Sequence, residues 1–403
     1  MKISRMAQSI SPSPTLGLNE QAQALRAQGE PVIHLGIGEP KNPTPPAALE
    51  MLTERLNAGL GKYGPTAGSP GLKQAIIAYT EQHYSRTVSP GNVIVSTGAK
   101  QSLFNALITV VNPQEEVILL APYWCTYPEL VKLVQGVPVV VQPPLGSFTP
   151  RLEDIENALT PRTRALLVNS PNNPSGAVYP AEFLTGVAAL CAQRGIWLLT
   201  DDIYHQLVFD GCTAHPIYKF TQQSVDESQI VVVNGISKTY GMTGYRIGWV
   251  VGPRKVVAAM NKIQGQTTSC ASVVSQAAAE GALTGDQSGV EDLRQLIQSN
   301  RDLVMSGLRE ISGVKLVEPH GTFYCLPDFS AINPDSKALA GFILEKALVV
   351  TIPGVDFGAE GHLRISYAGS PADVKEGLAR LMWLLSPDSP GEFRVGERVL
   401  TKE

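Results

Sequence analysis

Ser237-Lys-Thr-Tyr-Gly-Met-Thr-Gly-Tyr-Arg-Ile-Gly248 follows directly on the apolar run Ile230-Val-Val-Val-Asn-Gly-Ile236. That run reads as a buried strand. Lys238 therefore stands just past a strand end, in a loop of small residues, with Arg246 further along the same loop. A lysine held partly out of water loses basicity and can form a Schiff base with a carbonyl compound. Arg246 and the Ser237 hydroxyl suit a phosphate, since a guanidinium binds it bidentately. A surface lysine in a turn is the plainer explanation of a Ser-Lys pair, so the rest of the chain has to decide.

The bulk composition narrows the field. With 403 residues the chain is too long for one ordinary core, and two domains are expected. Charged residues make up 17% and apolar residues 43%, which is a soluble globular balance. A net charge of −4 gives no basic footprint for nucleic acid and no polybasic membrane signal. No apolar run reaches membrane-spanning length, and the start Met1-Lys-Ile-Ser-Arg-Met6 has no apolar stretch behind it. Cys125, Cys191, Cys212, Cys270 and Cys325 lie far apart, which reads as reduced thiols in a cytoplasmic protein. The six histidines show no metal-ligand spacing, so no metal is expected.

Upstream of the deciding stretch, strands and helices alternate. A helical pattern from Thr15 to Gln28 ends at Gly29, and Val32–Leu35 is a short strand candidate running into Gly36-Ile-Gly38-Glu-Pro40. Glycines there let backbone approach a ligand, although a plain turn explains them equally well. A helix follows from Pro45 to about Gly59. Tyr63 then sits in the Gly/Pro-rich loop Lys62–Gly71, where packing is its commoner role. Asn92–Thr97 reads as a strand, Gly98-Ala99-Lys100 as a tight turn, and Gln101–Val111 as a helix whose start offers N–H groups to an anion. Val117–Leu120 is the next strand, with Trp124 just beyond, suited to stacking on a flat ring or to the core. Strands at Val137–Gln142 and Ala165–Asn169 follow, the second leading to Asn173, whose loop has both turn chemistry and free amides. Ile196–Thr200 ends in Asp201-Asp202-Ile-Tyr204. A carboxylate at the end of a buried strand is costly unless paired. A pyridinium N–H would pair it, and capping of the next segment is the alternative.

This alternation predicts an α/β sheet flanked by helices on both faces. Ligands of such sheets gather beyond the carboxyl ends of the strands. Thr97–Lys100, Trp124, Asn173, Asp201 and Ser237–Lys238 each follow a different strand, and packing alone does not explain five such positions on one edge. A lysine for an aldehyde and an arginine for a phosphate together suggest pyridoxal 5′-phosphate. After Pro253 helices are expected from about Val256 to Glu310, broken near Ser269–Cys270 and Gly285. Short strands at Val314–Val317, Thr322–Leu326, Val349–Ile352 and His362–Tyr367 then signal a smaller α+β unit. Within the last, Arg364 either points to solvent or clamps a carboxylate. The expected division is an N-terminal arm over 1–44, a large domain over 45–285, a small domain over 286–385 and a loosely held tail over 386–403.

At this point the chain resembles the class I/II aminotransferases of pyridoxal-phosphate fold type I, over about Ser11 to Leu385. The resemblance rests on Tyr63-Gly-Pro-Thr-Ala-Gly68, Ser170-Pro-Asn-Asn-Pro-Ser-Gly176, Asp201-Asp-Ile-Tyr204, Ser237–Gly248 and Leu363-Arg-Ile-Ser-Tyr367. It implies a large domain with a mostly parallel sheet plus a smaller α+β domain. It also implies that Lys238 is the Schiff-base lysine and the proton carrier at the substrate Cα. Asp201 would pair with the cofactor's ring nitrogen, Asn173 and Tyr204 would bond its ring oxygen, and Trp124 would stack on the ring. Ala99, Lys100, Ser237 and Arg246 would hold the phosphate, with Tyr63 supplied by the neighbouring subunit of a homodimer. Arg364 would bind the substrate carboxylate near the backbone of Gly38 and Asn173, under a small domain that closes over it. The implied chemistry is amine transfer in two half-reactions.

The aspartate-type bacterial subgroup is the nearest likeness. There Lys100 and Thr15 would meet a distal carboxylate, or Lys100 would simply add charge at the phosphate end. One departure is Lys41-Asn42, where the subgroup usually has an acidic-aromatic pair, so an extra cation near the pocket mouth is expected. Relatives with similar motifs act on alanine, aromatic amino acids, methionine or kynurenine, and the scaffold also carries lyases and decarboxylases. A non-catalytic effector-sensing domain would need a DNA-binding unit, for which no room is expected ahead of Ser11.

Overall fold

The apolar runs lie side by side in the computed structural model, which describes residues 3–12 and 14–402, except for the side chains of residues 14–16 and 19. After a short strand β1 (Ile33–His34), the main strands are β2 (Val93–Thr97), β3 (Glu116–Leu120), β4 (Val137–Val141), β5 (Thr163–Asn169), β6 (Trp197–Asp201), β7 (Ile230–Gly235) and β8 (Ile247–Val251). They form one sheet in the order β2-β8-β7-β6-β5-β3-β4. Every neighbouring pair is parallel except the two made by β8, which runs against β2 and β7. Successive residues of a strand face opposite sides. Accordingly Val93, Val95, Ile118, Leu166 and Val168 enter one apolar cluster, while Ile94, Val117, Leu119, Ala165 and Leu167 enter another. The first cluster is covered by the helices Pro70–Tyr84, Ala181–Arg194 and Val273–Thr284. The second is covered by Gly98–Val110, Thr126–Leu133 and Arg254–Thr267. Both faces are apolar because both are covered.

A third apolar cluster is built from the long helix Ser288–Arg309, the helices Ser336–Ala347 and Pro371–Leu385, and the strands β9 (Tyr324–Cys325), β10 (Val349–Val350), β11 (Ile352–Pro353) and β12 (Leu363–Ser366). Ala22, Val32, Ile33 and Leu35 belong to this cluster too. β1 pairs in parallel with β10, Ile33 opposite Val349, so the beginning of the chain is tied to its last quarter. The stretch Val314–Val317, expected as a strand, contributes only the isolated bridge of Lys315 to Asp328. The tail after Ser386, expected to be loosely held, folds back as an antiparallel hairpin, β13 (Glu392–Val395) with β14 (Arg398–Thr401). Phe393 meets the Trp383 ring at 5.5 Å, Trp383 Nε1 donates to Pro390 O at 2.7 Å, and Leu400 is buried. The Pro/Gly content that suggested looseness falls in the bend ahead of the hairpin and, with Gly396, in its turn, and an apolar anchor outweighs it. Among the described residues no helix is long and apolar enough to cross a membrane.

Candidate active site

The parallel strands β2, β3, β5, β6 and β7 all end on one edge of the sheet, and the loops that leave them surround a cavity of about 330 Å³. The antiparallel β8 begins on that same edge, with Ile247 opposite Thr97. Reversal of this one strand, which the sequence reading did not anticipate, brings Arg246 beside Gly98. Gly38, Ala99, Lys100, Trp124, Asn173, Asp201, Tyr204, Ser237, Lys238, Arg246 and Arg364 all line the cavity. Tyr63 is not among its lining residues and is 94% exposed. Thr15 lies on the helix Pro14–Ala27, and its side chain falls outside the described ones.

Lys238 is half-buried and donates from Nζ to the Gly38 carbonyl at 2.6 Å. Burial first, then the positive charges of Arg246 and Arg364, lower its pKa from 10.5 to about 8, against the pull of Glu39 and Asp201. An amine so placed has a substantial neutral, nucleophilic fraction near physiological pH. Asp201 is 3% exposed and accepts from Tyr127 Oη at 2.8 Å and from the Ile203 N–H at 3.4 Å. Burial raises its pKa to about 6 in spite of both donors. A carboxylate still costly after two hydrogen bonds fits a cationic N–H partner.

Directly after β2, Gly98, at φ +78°, opens the helix Gly98–Val110. A Cβ there would sit 2.6 Å from Arg246 Nη2, so the absent side chain lets the guanidinium lie against the turn. The first-turn N–H groups of a helix have no intrahelical acceptor, and with Ser237 and Arg246 they offer an anion a place to bind. Trp124 meets Tyr127 edge-on at 5.5 Å, and Lys100 Nζ stands 4.9 Å from the Trp124 ring centroid. Partial burial, and further Arg246, lower the Lys100 pKa against the opposite pull of Cys125.

Arg364, on β12, is 2% exposed, so the solvent-facing alternative does not hold. Nη1 donates to Asn173 Oδ1 at 3.0 Å and Nη2 to the Gly36 carbonyl at 2.8 Å. Its guanidinium carbon lies 4.3 Å from the centroid of Tyr324 and 4.8 Å from that of Phe357. Nε has no partner among the described residues. Asn173 also donates to Tyr204 Oη at 3.4 Å. The phenol of Tyr324 closes on Gly38 so tightly that a side chain at 38 would collide with it.

His34, Tyr127, Asn169 and Tyr324 line the cavity as well, and the sequence reading had not singled them out. Tyr127 had a legible signal, since it lies one helical turn beyond Trp124. Lys41 is exposed and is not among the lining residues, yet its charge acts on His34, which is. Asn42 instead ties the N-terminal segment to the lysine loop, donating to Tyr240 O at 3.1 Å.

The family described as aminotransferase class I and II matches residues 30–381. Aspartate aminotransferase of Streptomyces avermitilis is 39% identical over 96% of this chain and 97% of its own length. Aspartate/prephenate aminotransferase of Thermus thermophilus is 39% identical over 95% and 98%. A solved structure of aspartate aminotransferase from Thermus thermophilus with maleate superposes with a TM-score of 0.90, at 39% identity over 95% of this chain and 99% of that one. The aspartate aminotransferase structure from Rhizobium meliloti also reaches 0.90, at 36% identity over 95% and 98%. With a family match over residues 30–381 and relatives 39% identical along nearly the whole of both chains, the chain belongs to the class I and II aminotransferases.

Proposed function

We propose that this aminotransferase works with pyridoxal 5′-phosphate and takes dicarboxylic amino and 2-oxo acids as its first substrates. One observation carries the reading: a half-buried amine, a buried carboxylate and a buried guanidinium, from three different elements, line one cavity. The residues fit the group. Lys238 is the nucleophile for its aldehyde, Asp201 the anion for its ring nitrogen, and the backbone N–H groups of Ala99 and Lys100 with the side chains of Ser237 and Arg246 the cradle for its phosphate. Asn173 and Tyr204 hold the ring oxygen, and Trp124 covers a ring face. When bound, the group supplies an electrophilic carbonyl and an electron-withdrawing ring.

The chain's own residues do the rest. Arg364 grips the substrate α-carboxylate bidentately, and the backbone at Gly38 and Asn173 borders it. Lys238, neutral in good part near its pKa of about 8, takes a proton from the Cα of the amino acid in one half-reaction and gives one to the Cα formed in the other. Lys100 faces the distal carboxylate. Tyr63, 94% exposed, reaches the phosphate of a second copy in a homodimer. Thiols spaced apart, all free, suit a cytoplasmic enzyme.

Spectroscopy tests the reading. Aspartate is expected to bleach the visible band of the loaded protein and 2-oxoglutarate to restore it, with no release of ammonia or CO₂. Bleaching by alanine or an aromatic amino acid alone would keep the cofactor and discard the dicarboxylate preference. Lys100→Ala is expected to lower kcat/KM for aspartate about tenfold or more while leaving alanine nearly unaffected, the loss of one charge-assisted hydrogen bond. Unchanged aspartate turnover in that variant would remove Lys100 from substrate recognition.

A further inference from the structure

His34 lines the cavity but has no part in the assignments above. Its Nδ1 accepts the Gly36 N–H at 3.1 Å, so in the neutral ring the proton sits on Nε2. Burial, then the charge of Arg26 and further those of Arg364 and Lys41, lower the imidazole pKa to about 4, which keeps the ring neutral near pH 7. Nε2 is closed off from water and has no hydrogen-bond partner among the described residues. A buried donor without an acceptor is costly, and in a binding cavity the acceptor is what the ligand brings.

The same glycine holds the carboxylate-binding arginine. Gly36 takes its N–H to the imidazole and its carbonyl to Arg364 Nη2. A Cβ at position 36 would lie 3.2 Å from His34 Cε1 and 2.6 Å from Ile352 Cδ1, so no other residue keeps this spacing without movement. Imidazole and guanidinium are thereby fixed to the two ends of one residue.

We propose that His34 is a substrate-binding residue whose Nε2–H donates to a carboxylate oxygen of the acid held at Arg364. The inference rests on the reading of Arg364 as the carboxylate site. A neutral donor beside the guanidinium adds hold on the anion without a second positive charge next to Lys238. It also selects against amines that bring no oxygen acceptor, because these leave the donor unpaired.

Two substitutions separate the ring nitrogens. His34→Asn keeps an acceptor near the Gly36 N–H and removes the distal donor. His34→Gln carries an amide N–H out toward the Nε2 position and gives up the near acceptor. Calorimetry on the cofactor-loaded enzyme measures binding of succinate, a dicarboxylate with no amino group to transfer. Thermal melting and the cofactor spectrum are recorded alongside to show that each variant is folded and loaded. The succinate Kd is expected to rise about tenfold in His34→Asn and to stay within about threefold of the parent in His34→Gln. Parent-like binding by His34→Asn would overturn the proposal and leave the aminotransferase reading intact. Equal weakening in both variants would also overturn it, because the imidazole would then act through Gly36 alone. If Arg364→Ala binds succinate as the parent does, the failure lies in the carboxylate site itself.

Discussion

Asp201 keeps a raised pKa of about 6 even with two donors on its oxygens, because burial outweighs both. A carboxyl whose folded pKa lies above its ordinary 3.8 binds more protons folded than unfolded between those values. Its contribution to stability is therefore present below pH 3.8 and is lost as pH rises through 6. Asp201→Asn is expected to stabilise the cofactor-free protein above pH 7 by about 1–3 kcal/mol, read from urea unfolding, and to flatten that part of the pH–stability curve. The same change should lower transamination kcat by about 100-fold or more, since a neutral amide offers no charge to a ring cation. A variant no more stable than the parent would mean that the carboxylate is already satisfied without its ligand. Asp201 and Lys238 were legible in the sequence because a charged group closing an apolar run needs a reason to be there. His34 and Tyr324 were not, because an imidazole or phenol inside an apolar stretch has the same pattern whether it packs or binds.

At the scale of elements, the cradle depends on two chains of backbone passing within contact distance. A Cβ on Gly248 would lie 2.5 Å from the Gly98 carbonyl carbon, and backbone cannot swing aside as a side chain does. Gly248→Ala is expected to cost at least about 2 kcal/mol of stability and to weaken cofactor binding together with it, measured by thermal melting and cofactor titration. The hairpin β13–β14 makes a separate prediction. Deleting residues 387–403 uncovers Trp383, now 5% exposed, and should cost about 2 kcal/mol, seen as a lower Tm. An unchanged Tm would mean that the hairpin merely rests on the helix Pro371–Leu385. The parallel strands could be read from apolar runs because both sheet faces are covered. The direction of β8 could not, since its apolar run carries no mark of which way it crosses the sheet. The hairpin was missed because Phe393 and Leu400 lie among charged residues, where an apolar anchor has no periodicity to reveal it.

For the whole molecule, Arg364 belongs to the C-terminal cluster yet bonds Asn173, in a loop of the large sheet, and Gly36, near the start of the chain. The site is thus complete only where three parts of the chain converge. Tyr63 adds a fourth if a second copy supplies it, and then dilution matters. Activity and cofactor retention should fall together as the protein is diluted below its dimer dissociation constant, in step with the mass seen by sedimentation. Tyr63→Phe should raise the cofactor Kd by about threefold to tenfold without changing that mass. A fully active monomer would exclude the shared site. Convergence of this kind was only partly legible, because motifs reveal which residues gather at a sheet edge but not which distant backbone they lean on. It also sets a timetable. The bond from Arg364 to Gly36 spans 328 positions, and β1 waits for β10 over nearly the same stretch. At ribosomal speeds of roughly 5–20 residues per second, β1 leaves the exit tunnel tens of seconds before its partner is made. A nascent chain can assemble its large sheet in that time, yet it holds an unpaired strand until translation is nearly finished. Early release, stalling or truncation would therefore yield a sheet that folds but a cavity without the wall that carries Arg364.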